Sequence, residues 1–165
     1  LSEAEETNRP ILHEGFFFAI IALFFFSLVS WFFATTPNLN TAISDFIGGF
    51  TLVQAPNTSI MLPAPAVPSA YTAVYVVAAQ WCLIWGIFEV FLVVLRFGVR
   101  SSSGRKVETL TNLIWWFGAY YLISIFLNAS ATILIWFVFW STLIMLIGAQ
   151  LIIRGLILAV MSRLK

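Results

Sequence analysis

Four long apolar runs constrain this chain more than any other feature of it. Crossing the hydrocarbon core of a bilayer as a helix takes about 20 predominantly apolar residues. Residues 15–35, 71–97, 107–127 and 131–161 each supply such a run, and the second holds a single acidic residue, Glu89. Only 9% of the 165 residues are charged, which is too few to solvate a globular surface, where about 25% is usual. The same scarcity excludes a disordered chain and a nucleic-acid binder working through a basic face. The runs are continuously apolar rather than alternating, so a transmembrane β-barrel is excluded too. The expected fold class is all-α: a polytopic membrane protein built as a four-transmembrane-helix bundle, in a single membrane domain covering 1–165.

The connections differ in kind. Residues 36–70 contain no Lys or Arg and form a long loop. Its first half, 39–53, suits a weak interfacial helix around Ile43, Ile47 and Phe50, interrupted by Gly48 and Gly49. Its second half holds Pro56, Pro63, Pro65 and Pro68 and reads as an extended, stiff segment. The 98–106 loop is short and basic, and a few residues around Asn128 join spans three and four as a tight antiparallel hairpin. All eight basic residues (Arg9, Arg96, Arg100, Arg105, Lys106, Arg154, Arg163 and Lys165) fall toward one side of a four-span topology. By the positive-inside rule both termini and the 98–106 loop are expected in the cytoplasm of a plasma or cell membrane, with 36–70 external. Asn57 and Asn128 open glycosylation-type triplets on the external side, a pattern that arises often by chance. The first residues are acidic and begin with Leu1, unlike the basic start of a signal peptide; a removed leader or an upstream start is the expectation.

Glu89 is the most informative position, because ionisable groups at membrane depth usually face a partner or water. Glu89 lies seven residues before Arg96, and Arg154 lies nine before Arg163. Spans two and four run in the same direction, so Glu89 and Arg154 are expected at similar depth, as an ion pair with Gln150 one turn away. A proton or cation relay is the functional reading of Glu89; a structural ion pair between spans is the plainer one. His13 and Glu14 lie at the cytoplasmic mouth of span one, as a polar interface residue and a helix-start carboxylate. Adjacent helical residues point about 100° apart and chelate one ion badly.

Span four carries Ser141, Gly148, Gly155 and Ser162 at intervals of seven, and span two carries Ala78, Cys82 and Gly86. Small residues let helices approach, so these stripes are expected to pack spans two, three and four together. The phenylalanines of span one recur without a single face, which suits lipid or a groove on another subunit. Trp31 and Trp136 lie near span ends as interface anchors.

One histidine and one cysteine, Cys82, leave one chain unable to build a bis-imidazole site or a disulfide, and no nucleotide loop or zinc motif is present. No catalytic set, metal site or cofactor is therefore expected, while bound lipids are. The expected function is an accessory or structural subunit of a larger membrane protein complex, with the bilayer and other subunits or further copies as partners and no nucleic acid. The alternatives are a small homo-oligomeric channel or transporter for protons or cations using Glu89, and a membrane enzyme acting on a lipid or quinone.

Overall fold

A computed structural model of the protein describes residues 9–98 and 103–163, with side chains described for 15–98 and 104–160. The side chains of His13, Glu14 and Ser162 lie outside the described residues. Five α-helices and one two-stranded sheet follow in the order α1 (Arg9–Thr35), α2 (Leu39–Gly48), β1 (Phe50–Gln54), β2 (Met61–Pro65), a 3₁₀ turn (Pro68–Tyr71), α3 (Thr72–Gly98), α4 (Ser103–Phe126) and α5 (Ile133–Arg163). Four of the helices are long and apolar enough to cross a membrane, over Gly15–Thr35, Pro68–Gly98, Gly104–Phe126 and Ile133–Val160. The chain divides into two compact units, Leu1–Asn40 and Thr41–Lys165.

In the first unit, α1 stops where Pro37 forces the preceding residue out of the helical region. Asn38 then takes a left-handed conformation, φ 55°, which asparagine tolerates better than most residues. The hydroxyls of Ser30 and Thr35 donate to the carbonyls of Phe26 and Trp31 at 2.8 Å, so neither is left bare on an apolar helix. Phe16, Phe18, Leu23, Phe26 and Phe33 are exposed, spread around the helix.

The second unit corrects the expected reading of 36–70. Its first half is helical only as far as Gly48, and the proline-bearing half is extended over Met61–Pro65, as expected, but paired as one strand of a β-hairpin rather than left as a free segment. β1 and β2 pair antiparallel from Phe50↔Pro65 to Gln54↔Met61. Two prolines survive in β2 because Pro63 and Pro65 are two residues apart and turn their missing donors outward. The even-numbered residues of β2 and the odd-numbered residues of β1 carry the ladder, which runs on from Ala55 N to Ile60 O (2.8 Å) and from Ala66 N to Gly49 O (3.1 Å). The loop is a turn from Ala55 to Thr58 with Pro56 second and Asn57 third; Asn57 has φ 59°, as a type II turn requires.

α3, α4 and α5 pack as consecutive antiparallel helices. Trp85 meets Trp116 (ring centroids 5.4 Å) and Gly86 lies under Phe117, which fixes the α3–α4 register. Thr132 caps α5, its hydroxyl accepting from Ile135 N at 3.3 Å. Asn128 shapes the preceding turn: its Oδ1 accepts from Ser130 N at 2.9 Å and its Nδ2 donates to Ile125 O at 2.8 Å. Trp136, expected as an interface anchor, is instead 3% exposed beneath α2 and the hairpin. It touches Phe46, Phe50, Tyr75, Phe139 and Trp140, because the folded hairpin covers the helix end that an unstructured loop would have left open.

The expected small-residue packing divides. A Cβ on Gly86 would lie 3.2 Å from the Phe117 ring, and one on Gly118 would lie 2.7 Å from Leu146 Cδ2, so both glycines serve close helix approach. Gly148 and Gly155 have nothing within 4 Å among the described residues, and Ser141 is exposed with its hydroxyl turned back on Phe137 O. The α5 stripe therefore does no packing in the described second unit. Gly118→Leu is expected to lower stability by about 1–3 kcal/mol through overpacking. Gly148→Leu and Gly155→Leu should leave it within about 0.5 kcal/mol or raise it through helix propensity. Thermal unfolding of the three variants in one detergent checks the contrast.

Candidate functional site

The buried face of α3 is a single stripe. Tyr75, Cys82, Glu89 and Arg96 follow one another at intervals of seven, with Ala79 and Gly86 between them, and all six are buried. A seven-residue repeat keeps one seam turned toward a neighbouring helix. The seam thus presents a phenol, a thiol, a carboxylate and a guanidinium in order along α3, and the last two form the polar cluster.

Glu89 is 6% exposed and lies about 25 Å along α3 from Thr72 at 1.5 Å per residue. The Asn112 side chain of α4 hydrogen-bonds to it. That partner follows from the register: four residues on from Trp85 along α3 is four back from Trp116 along α4. The charged groups that act on Glu89 are Arg96, two turns further along its own helix, and Glu108, one turn from Asn112. Arg96 is 7% exposed. Glu108 is also engaged by Arg105, 3.2 Å away, and Lys106 Nζ stands 4.8 Å above the Phe97 ring. Two carboxylates and three cations therefore gather toward this end of α3 and α4. Thr109 and Thr111, both buried, spend their hydroxyls on the carbonyls of Arg105 and Val107 at 3.0 and 3.1 Å.

The structure does not bring together the pair expected from the sequence. Gly118 meets Leu146, so Asn112, six residues back along α4, is level with Ile152 on α5. Arg154 thus lies within about 3 Å of the depth of Glu89, as the spacing implied. Yet Arg154 is exposed on α5, Gln150 is half-buried there, and neither is among the groups that face Glu89. Depth was legible from residue counting; azimuth was not. The signal that finds Arg96 is the seven-residue spacing from Glu89, which places both on one seam. Asn112 had no signal of its own, because only the α3–α4 register selects it.

The cluster can hold a carboxylate out of water with one amide donor and a guanidinium on its own seam. Among the described residues there is no group of three His, Cys, Asp or Glu that could hold a metal ion. Removing one member of such a cluster leaves the others buried and uncompensated. Glu89→Gln keeps an oxygen and adds a donor toward Asn112, so a loss below about 1 kcal/mol is expected, whereas Glu89→Leu should cost about 2–4 kcal/mol. Unfolding of the two variants, with Asn112→Leu alone and in combination, measures the coupling directly.

Comparison with known proteins finds no family model that matches this chain, and no curated protein or solved structure to which it is significantly similar.

Proposed function

We propose that this chain is an accessory, structural subunit of a larger membrane-embedded complex, docking through the outer face of α5. One observation carries the reading. The most apolar eighteen-residue stretch within Ile133–Val160 has none of its residues buried within the chain. Ile144, Met145, Leu151, Ile152 and Leu156 are all at least 60% exposed. Lipid alone would satisfy those side chains. It satisfies Arg154 poorly, since a guanidinium on such a face needs an anionic group beside it. Among the described residues no hydrogen bond or ion pair reaches the Arg154 guanidinium. A neighbouring helix bearing a carboxylate meets that need, and Gly148 and Gly155 leave its backbone room to approach.

In this reading the bilayer is the solvent. The basic ends of α3 and α4 lie on the cytoplasmic side together with both termini, and α2 and the hairpin lie outside, by the positive-inside rule. The relay reading of Glu89 has less support. Proton pathways place ionisable groups in series, whereas the immediate hydrogen-bond partner of Glu89 is an amide and a guanidinium stands on the same seam.

A photoreactive residue at Met145 or Ile152 tests the docking face in native membranes. Crosslinks to a protein partner or to a second copy are expected, and Arg154→Ala should reduce them about tenfold while leaving the unfolding temperature of the isolated chain unchanged. Crosslinks to lipid alone, with an 18.5 kDa monomer in mild detergent, would overturn the proposal. Topology is checked separately in a Cys82→Ala background: a cysteine at Asn57 should react with an impermeant maleimide added to intact cells, and one at Arg105 should not.

A further inference from the structure

α3 carries one more polar side chain, off the buried seam. Gln80 is exposed, and among the described residues no hydrogen bond reaches its side-chain amide. The span Pro68–Gly98 has its middle at Leu83, so the amide stands three residues, about 4.5 Å of rise, from mid-span. The inference drawn from it rests on the membrane-embedded reading above. With the bilayer as solvent, Gln80 lies inside a hydrocarbon core about 30 Å thick. An amide there is costly unless something in a protein cavity hydrogen-bonds to it.

Gln80 and Tyr120 both line a hollow of about 430 Å³ between α3 and α4. Trp85 meets Trp116 and Glu89 meets Asn112, so Gln80 is level with Tyr121, and Tyr120 lies one residue, about 1.5 Å of rise, from that level. The Tyr120 phenol, half-buried, also has no hydrogen bond among the described residues, and it is open where the hydroxyl of Tyr75 is shut away. The other polar side chains there are engaged. Thr72 donates to Ser69 O, Ser124 to Tyr120 O and Asn128 to Ile125 O, at 2.7–2.8 Å. Apolar walls with a few convergent polar groups, at a volume of roughly 300–1,000 Å³, are the usual form of a small-molecule site. No charged residue lines the hollow, which favours a neutral ligand over a carboxylate or phosphate. A primary amide presents a donor and an acceptor side by side, and a phenol adds a second donor. A neutral carboxyl or amide head group answers all three: its O–H or N–H donates to Gln80 Oε1, and its carbonyl accepts from Gln80 Nε2 and the Tyr120 hydroxyl. An apolar tail has a track outside the hollow, since Val76, Gln80, Leu83 and Ile87 share one stripe of α3 and Val76 and Ile87 are about half exposed.

We propose that this hollow binds a single-chain lipid with a neutral donor–acceptor head group, held by the Gln80 amide and the Tyr120 hydroxyl. Two sources share that chemistry: a protonated fatty acid and a fatty-acid primary amide. The test titrates the full chain in detergent with three probes: dodecanoic acid in mildly acidic buffer, dodecanamide, and methyl dodecanoate, which keeps the carbonyl and lacks the donor. Binding is followed by native mass spectrometry and by the unfolding temperature. Saturable binding of the acid or the amide is expected, with the ester about tenfold weaker, and the probe that binds tighter identifies the source. Gln80→Leu should weaken that binding about tenfold and Tyr120→Phe several-fold. Leucine suits an exposed apolar helix face, so empty Gln80→Leu should unfold at the same temperature as the parent or higher. The proposal falls if no probe saturates, if the ester binds as tightly as the other two, if both variants bind like the parent, or if Gln80→Leu destabilises the empty protein, since the amide would then serve the fold. The maleimide experiment reports on the membrane reading separately, so a loss of binding with the expected topology counts against this site alone.

Discussion

The contact of α3 with α4 along one seven-residue stripe is the constraint on which the rest depends. Helices in an apolar surrounding gain little from hiding oily side chains, because the surroundings are equally oily. Close packing and internal hydrogen bonds have to hold them instead. Gly86 under the Phe117 ring and the tilted Trp85–Trp116 pair set that contact, and the register they fix selects Asn112 as the partner of Glu89. The same stripe carries Tyr75 at one end and Arg96 at the other, so the placement of polar chemistry follows from helix geometry.

The cap over the opposite end of these helices is aromatic rather than polar. Phe46 touches Phe50, Tyr71, Tyr75 and Trp136, tying α2 and β1 to α3 and α5. Gly49 lets the Tyr71 hydroxyl sit where any side chain would stand. The backbone of this segment meets its own needs through the hairpin ladder and the Ala55–Thr58 turn. Hydroxyls on the long helices bond one turn back, as at Ser30, Thr111, Ser141 and Thr142. A chain this apolar tolerates few stray donors; among the described residues the Tyr75 hydroxyl is buried with no hydrogen-bond partner, and the Arg154 guanidinium is exposed on an apolar helix.

How much was legible depended on whether a feature is local or between elements. The apolar runs gave the four long helices to within a few residues of their ends. Gly48 marked the end of α2. The proline-rich half of 36–70 misled, because proline content argues for extension but not for what an extended segment pairs with. Alternate spacing of Pro63 and Pro65 is the feature compatible with a strand, and it is readable only once a partner strand is in view. Trp136 misled similarly: position near a helix end suits an interface anchor, and the hairpin that covers it comes from residues more than seventy positions earlier.

By itself the sequence determined the number, length and polarity of the long helices, and the similar depth of Glu89 and Arg154. These depend on hydropathy and on a fixed rise per residue, both of which are local. Only the tertiary structure decided that Glu89 meets Asn112 while Arg154 faces away, and that Gly86 and Gly118 pack while Gly148 and Gly155 do not. The rotation of one helix about its axis relative to the next is set by interlocking side chains across their contact, and no count along a single chain contains that angle.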